Sequence, residues 1–451
     1  MTYSIIKKLG LEGAHRLDAE YYQPEYLNFE QTVKQSGTYK LWRDIEGKFI
    51  TGPFGSEFNV ENYVIVGKYR YVRGKDVKEF FLLDDDNVYI PEKDFERLKK
   101  YSLNEGDILV SVVGTLGDTA IVDKSNLPAI FSCKSTAFRT AAINPHYFLA
   151  YLNSKYGQGF LERSVRGTVQ TGLNINDLKD LPIYIPSLER QHEIGLIVIA
   201  SKRELENSKS LYSQAENMLL EELGLKNFKA DEESWSIVNF SDVEIAGRID
   251  AEYFQPKYGK LMSLIRANKG IALGQIAKRI KKRVKIIPNV NYGYTEISDI
   301  NAGNGDVSFN LVEGKELPAN AKIKIEGGEL LISKVRPTRG AITIIPDSWS
   351  KNHIASGAFS VFGIVSPMRE YLQVVLRSMI GKLQMERPTT GTSYPTITDQ
   401  DVENLIIPIL SKPIQQKIAD FVRQSHDARK KAKELLGEAK RKVEEMIEQK
   451  K

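Results

Sequence analysis

The sequence predicts an α+β protein in which one mixed α/β domain is present twice, each copy followed by a long polar helix. Three observations predict it: a motif that returns half a chain later, short strands in matching order, and two long helices, free of proline beyond their first turn, in one heptad register.

The motif is the plainest. Arg16-Leu-Asp-Ala-Glu-Tyr-Tyr-Gln-Pro-Glu-Tyr26 returns as Arg248-Ile-Asp-Ala-Glu-Tyr-Phe-Gln-Pro-Lys-Tyr258, eight of eleven positions being identical. The echo continues in order. Gly106-Asp-Ile-Leu-Val-Ser111 reappears as Gly328-Glu-Leu-Leu-Ile-Ser333, and Ala137-Phe138 as Ala358-Phe359. Gly167-Thr168 matches Gly391-Thr392, while Asp177, Leu181 and Gln191 match Asp401, Leu405 and Gln415. So long a period marks a duplicated domain rather than a solenoid.

Each copy has one layout. The motif reads as a short helix or turn that its proline breaks. Strands rich in β-branched and aromatic residues follow at 69–73, 107–113 and 120–122, with counterparts at 292–300, 329–335 and 341–345. Glycine-containing connections, residues 114–117 and 336–340, separate them. A helix opens at Asn144-Pro145, and at Ser366-Pro367 in the second copy, and a strand at 181–186 closes the first.

The long helices are expected over about 188–223 and 412–449. The first seam is Ile194, Val198, Ser201, Leu205, Ser208, Tyr212, Ala215 and Leu219. The second is Ile418, Val422, Ser425, Arg429, Ala432, Leu436, Ala439 and Val443, every position displaced by 224. Small residues alternating with large ones suit two helices packed closely side by side. The expected divisions are 1–187, 188–228, 229–411 and 412–451.

Composition narrows the function. At 451 residues the chain exceeds one ordinary domain, and 41% hydrophobic with 27% charged residues is a globular balance. Without a run of 18 apolar residues no membrane span is expected, and the N-terminus does not read as a signal peptide. One cysteine, Cys133, excludes an intramolecular disulfide and a thiolate metal cluster and fits a reducing cytoplasm. Five scattered histidines argue against zinc. The net charge of +5 hides an asymmetry: residues 27–190 hold 21 Lys+Arg and 21 Asp+Glu, whereas 259–412 hold 21 and 13. Positive charge concentrated in one copy points to a polyanion.

Catalytic motifs are weak. Asn144-Pro-His-Tyr147 is one residue from the Asn-Pro-Pro-Tyr motif of amino-group DNA methyltransferases, but asparagine as cap and proline as first helical residue explain it better. No glycine-rich cofactor loop lies upstream. Asp18, Asp250 and Asp84-Asp-Asp86 lack metal-loop spacing and read as turn or cap residues, and Cys133 reads as a buried apolar residue. The densest basic run is Lys278-Arg279-Ile-Lys281-Lys282-Arg283-Val-Lys285. With Arg336, Arg339, Arg387 and Thr392 it supplies the candidate DNA contacts of the second copy. Those of the first are Arg73, Lys75, Lys134, Arg163, Arg166 and Thr168.

The whole layout resembles the specificity subunits of type I restriction-modification enzymes. Ile50-Thr-Gly-Pro-Phe-Gly-Ser56, the Gly-Asp-Ile-Leu-Val-Ser strand, and the Gly-Thr loop leading into Leu-x-x-Leu-x-Ile-x-x-Pro look familiar from that family. The second copy lacks the Gly-Pro-Phe-Gly-Ser element and has the basic run nearby instead. The resemblance implies two target-recognition domains, each reading half of a bipartite, asymmetric site on double-stranded DNA. It implies that the helices form an antiparallel coiled coil that docks two methyltransferase subunits, where S-adenosylmethionine binds and adenine is methylated. It implies restriction or motor subunits as further partners, no membrane, and no catalytic residue, cofactor or metal on this chain. A helix of about 36 residues is roughly 50 Å long, and major-groove faces on one side of DNA recur about every 34 Å. Alternative readings are a recognition fragment of a fused methyltransferase-nuclease, or a coiled-coil scaffold that binds only protein.

Overall fold

The computed structural model describes the chain except residues 1–3, 9–10, 12–15, 55–56, 59, 85, 168–170, 230–234, 350–351, 366–367, 392 and 450–451. Thr168, Thr392, Asp85, the Ser366-Pro367 helix start and the end of the Gly-Pro-Phe-Gly-Ser element lie outside the described residues. The chain forms two compact units, one of Met1–Leu205 with Lys430–Lys451 and one of Glu206–Arg429. The long helices, Leu188–Glu222 and Lys412–Glu448, each contribute a segment to both.

In the first unit a five-stranded sheet runs Lys48–Thr51, Ser135–Arg139, Ile108–Ser111, Thr119–Ile121, Phe80–Phe81. Side chains alternate across it, as a strand dictates. Ile108, Val110, Ile121 and Phe138 face one core with the helices, whereas Leu109, Ala120 and Ala137 face another with Val72 and Phe131. Both faces are covered, so residues 108–110 of the central strand are apolar in succession. Val72 and Phe131 belong to a second sheet of Val88–Ile90, Tyr69–Val72 and Ala129–Phe131.

The second unit has a sheet in the order Lys278–Arg279, Phe359–Gly363, Leu330–Ser333, Ile342–Ile344. Its other sheet runs Asn310–Glu313, Asn291–Thr295, His353–Ser356, Ala321–Ile325. Leu330 and Ile332 again face the helical core, and Leu331 the opposite one.

Two details depart from the sequence reading. Pro24 and Pro256 open twelve-residue helices, Pro24–Gln35 and Pro256–Ala267, instead of breaking one, because proline suits the first helical position where no N–H is needed. And Phe138 pairs with Ile108 where Phe362, not Phe359, pairs with Leu330. Register counts residues from the strand partner, so the Ala-Phe echo was three residues off.

In each unit the two long helices contribute antiparallel segments. In the first, Ser201 Oγ donates to the Ala432 carbonyl at 3.1 Å, Lys431 meets Glu204 at 2.5 Å and Lys442 meets Glu193 at 2.7 Å. Ile194, Val198, Ala439 and Val443 are buried in one core there. In the second, Ser208 Oγ lies 2.9 Å from Ser425 Oγ, and Ala215, Leu219, Ile418 and Val422 share a core. Ala432 is also buried, while Leu205, Tyr212 and Leu436 are half-buried.

Candidate nucleic-acid interface

The sheet of the second unit decides what its basic run does. Alternation sends Arg279 inward, where its Nη1 lies 2.8 Å from Asp399 and its Nε 2.5 Å from Glu403. Arg279 is therefore corrected from a DNA contact to a structural ion pair. Asp399 also receives Lys334 Nζ at 2.9 Å and Ser360 Oγ at 2.5 Å. Burial works to raise the Asp399 carboxyl pKa, but those bonds and the Arg279 charge hold it below the usual value.

Past Arg279 the chain leaves the sheet and runs beside the Ala321–Ile325 edge, with Arg283 bridging to Ile323 and the Lys324 N–H bonding the Lys282 carbonyl at 3.1 Å. Lys278, Lys281, Lys282, Arg283 and Lys285 are exposed, and none has an acidic partner within ion-pair distance among the described residues. Lys322, exposed on the paired strand, adds to this edge. The sequence reading passed over it because it lies forty residues downstream in Ala-Lys-Ile-Lys-Ile; only strand pairing brings it in.

A second basic element follows the central strand Leu330–Ser333. The turn is held on a hairpin by the Val335–Thr396 and Thr390–Thr396 bridges and by the Arg336 N–H on the Pro395 carbonyl at 2.7 Å. Arg336 sits in the left-handed region, φ +47°. Its guanidinium lies 4.6 Å from the Tyr394 ring centroid, and Nη2 donates to the Ser393 carbonyl at 3.3 Å. Arg339 is exposed and has no acidic partner among the described residues. Tyr394 was also missed; its only sequence signal is a large aromatic inside a polar Thr-Ser-Tyr-Pro turn.

The first unit is more self-neutralised. Arg73 bonds Asp76 through Nε and Nη2, and Lys75 reaches Asp86 at 2.7 Å. The Lys75 bond holds the Asp86 carboxyl below its ordinary value. Arg166 forks onto Asp177 with two contacts of 2.6 Å. Lys134 alone of this group is exposed without an acidic partner among the described residues, and Phe54 stands exposed on the Gly-Pro-Phe loop.

Arg163 needs correction, and Arg387 is half-buried with partners in its own unit. Arg163 is 8% exposed, donates to the Tyr21 carbonyl at 2.9 Å and meets Glu30 at 2.5 Å, with its guanidinium over the Tyr21 ring at 3.9 Å. Arg387 repeats this: it donates to the Tyr253 carbonyl at 3.2 Å and lies over that ring at 4.4 Å. The other side of each motif supplies Arg16, paired with Asp18, and Arg248, paired with Asp250. The repeated motif is thus a clamp of two arginines about one tyrosine, which binds the start of each copy to the helix end near Arg163 or Arg387.

The other chemical candidates resolve locally. Asn144 Oδ1 accepts the His146 and Tyr147 N–H groups at 3.0 and 3.1 Å, capping Pro145–Leu152, and the buried Tyr147 hydroxyl donates to the Tyr184 carbonyl. Asp84 takes Arg70 at 2.8 Å, so it and Asp86 act as ion-pair partners rather than turn caps. Cys133 is half-buried rather than buried. Among the described residues no group of three His, Cys, Asp or Glu side chains could hold a metal, and no helix is long and apolar enough to cross a membrane.

Residues 55–216 match the family model described as the Type I restriction modification DNA specificity domain. Over that stretch the chain resembles the specificity domains of type I restriction-modification systems. It is similar to the HindI specificity subunit of Haemophilus influenzae, 27% identical over 158 residues, which is 34% of each chain. It is also similar to the EcoBI specificity subunit of Escherichia coli, 31% identical over 99 residues, covering 21% of this chain and 20% of that one. The matched stretches thus span about a third or less of these curated relatives. The crystal structure of a type I restriction-modification S subunit from M. genitalium aligns over 92% of this chain and 95% of that one, at 16% identity and a TM-score of 0.42. The specificity-domain match covers most of the first unit's strands, the Arg166 hairpin, and the long helix as far as Glu216.

Proposed function

We propose that this chain is the DNA-reading subunit of a type I restriction-modification complex and carries no catalytic site of its own. The observation that carries this reading is the specificity-domain match over 55–216. Two further features support it. The order of four of the five strands in the first unit's larger sheet recurs in the second unit, as expected of duplicated target-recognition domains. The second unit also exposes a basic edge, without acidic partners among the described residues, that is suited to phosphates. Each unit reads one half of a bipartite site, and because their exposed surfaces differ, the site is asymmetric. The long helices form an antiparallel coiled coil and dock two methyltransferase subunits, which bind S-adenosylmethionine. Restriction subunits complete the complex in the cytoplasm.

Co-expression with a cognate methyltransferase subunit, followed by sequencing of modified adenines, tests this. The expected result is one split, non-palindromic methylated sequence that disappears when this chain is omitted. Methylation unchanged by omitting the chain would overturn the reading. Purified alone, the chain is expected to bind no S-adenosylmethionine at micromolar concentration and to transfer no methyl group.

A further inference from the structure

We propose that Arg336 is the base-reading residue of the second unit and that Tyr394 is the residue that positions it. The inference rests on the DNA-reading function above.

The argument begins with the backbone. Arg336 occupies the left-handed region, with φ +47° and ψ +52°. A side chain there is strained, and such strain persists only where the surroundings over-determine it. The surroundings are visible: its N–H is tied to the Pro395 carbonyl at 2.7 Å, Pro337 follows, and the flanking strand is bridged to Thr396. A glycine would meet the same backbone demand without strain. An arginine here is therefore explained by what its side chain does.

That side chain is held on two sides. The Tyr394 ring lies 4.6 Å below the guanidinium carbon, and the Ser393 carbonyl takes Nη2 at 3.3 Å. Nε and Nη1 donate to nothing among the described residues. The ring is itself 67% exposed, so this is no core contact. A guanidinium held over an aromatic ring, with part of its donor edge unused, is preorganised for a planar double acceptor. The N7 and O6 edge of guanine in the major groove is such an acceptor, and a bidentate arginine contact there discriminates by about 10-fold or more. Arg339, three residues on and without an acidic partner among the described residues, supplies charge for an adjacent phosphate.

The test uses the full-length chain and a randomised duplex library, selected by binding and sequenced, with Kd measured against salt concentration. The parent is expected to select a consensus that includes at least one guanine. Arg336→Ala and Arg336→Lys are expected to lose preference at one guanine position, by about 10-fold, leaving the other positions intact. Tyr394→Ala is expected to broaden that same position, and Tyr394→Phe, which keeps the ring, to leave it unchanged. Arg336→Gly separates reading from folding: it relieves the left-handed backbone, so the melting temperature is kept or raised while the guanine preference is lost. Selection of the parental consensus by Arg336→Ala would overturn the proposal, as would a Tyr394→Ala effect confined to other positions. A parent that selects no sequence at any salt concentration would overturn the DNA-reading function itself, and the proposal with it.

Discussion

Arg163 and Arg387 occupy corresponding places in the two units, each stacked on the tyrosine of the repeated motif. Arg163 is buried there and holds structure, and its removal leaves the half-buried Glu30 with Lys34 as its remaining ion partner. Arg163→Ala is expected to destabilise its unit by about 3–5 kcal/mol in urea unfolding while leaving the salt dependence of DNA binding unchanged. The exposed lysines behave in the opposite way. Replacing Lys281, Lys282 and Arg283 with alanine is expected to leave the melting temperature within a degree or two of the parent. It is also expected to weaken binding to all duplexes and reduce the slope of log Kd against log salt, by roughly one for each phosphate that is no longer neutralised. Normal binding at every salt concentration would reduce the run to a solvated face.

At the scale of an element, the long helices combine an apolar seam with buried polar groups. Ala215 and Ala439 are fully buried, so Ala215→Asp and Ala439→Asp each place a carboxylate out of water within the seam. A destabilisation on the order of 3–5 kcal/mol is expected in denaturant unfolding, with assembly on the methyltransferase abolished as well. Asn217→Asp, exposed on the same helix, serves as the control. The second long helix also carries His426. Burial, and then the Arg429 charge, push its imidazole down to about 4; Asp306, Glu370 and Asp427 oppose this too weakly to reverse it. An unfolded histidine titrates near ~6.5, so between ~6.5 and 4 the unfolded chain takes up a proton that the folded unit does not. Stability from this group is complete above ~6.5 and falls as the pH drops toward 4, by up to about 1.4 kcal/mol per pH unit. His426→Gln is expected to flatten the slope of stability against pH in that window. An unaltered slope would place the titrating group elsewhere.

For the whole molecule the proposed division of labour makes the long helices set the spacing of the two half-sites. The antiparallel pairings in each unit, Ser201 with Ala432 and Ser208 with Ser425, allow a matched change. Adding four residues after Leu205 and four after Arg429 lengthens each helix by about 6 Å and turns it by only about 40°. Methylome mapping is expected to show the same two half-sequences with a spacer longer by one or two base pairs. Retained methylation at the original spacing would mean that the helices do not measure the site.

The sequence by itself determined whatever depends on local order: the echo of the motif, the central strands, the long helices and their buried seam, and the cap at Asn144. Each rests on periodicity or on a cap within a few residues, and those are written consecutively in the chain. The short strands at Lys48–Thr51 and Phe80–Phe81 carried too little pattern to be read, whereas Ala321–Ile325 alternates apolar and polar residues and was legible, though the sequence reading passed over it. Only the tertiary structure decided which cations are available. Arg279 and Lys278 are neighbours in sequence, yet one is tied to Asp399 and Glu403 and the other faces water. Arg163 and Arg166 look equally suited to phosphate until Glu30 and Asp177 claim them. Lys322 and Tyr394 reach the candidate interface through strand pairing and a hairpin tip. The physical reason is that a charge is neutralised by whatever the fold brings within about 4 Å, and for most of these side chains that partner lies far away along the chain.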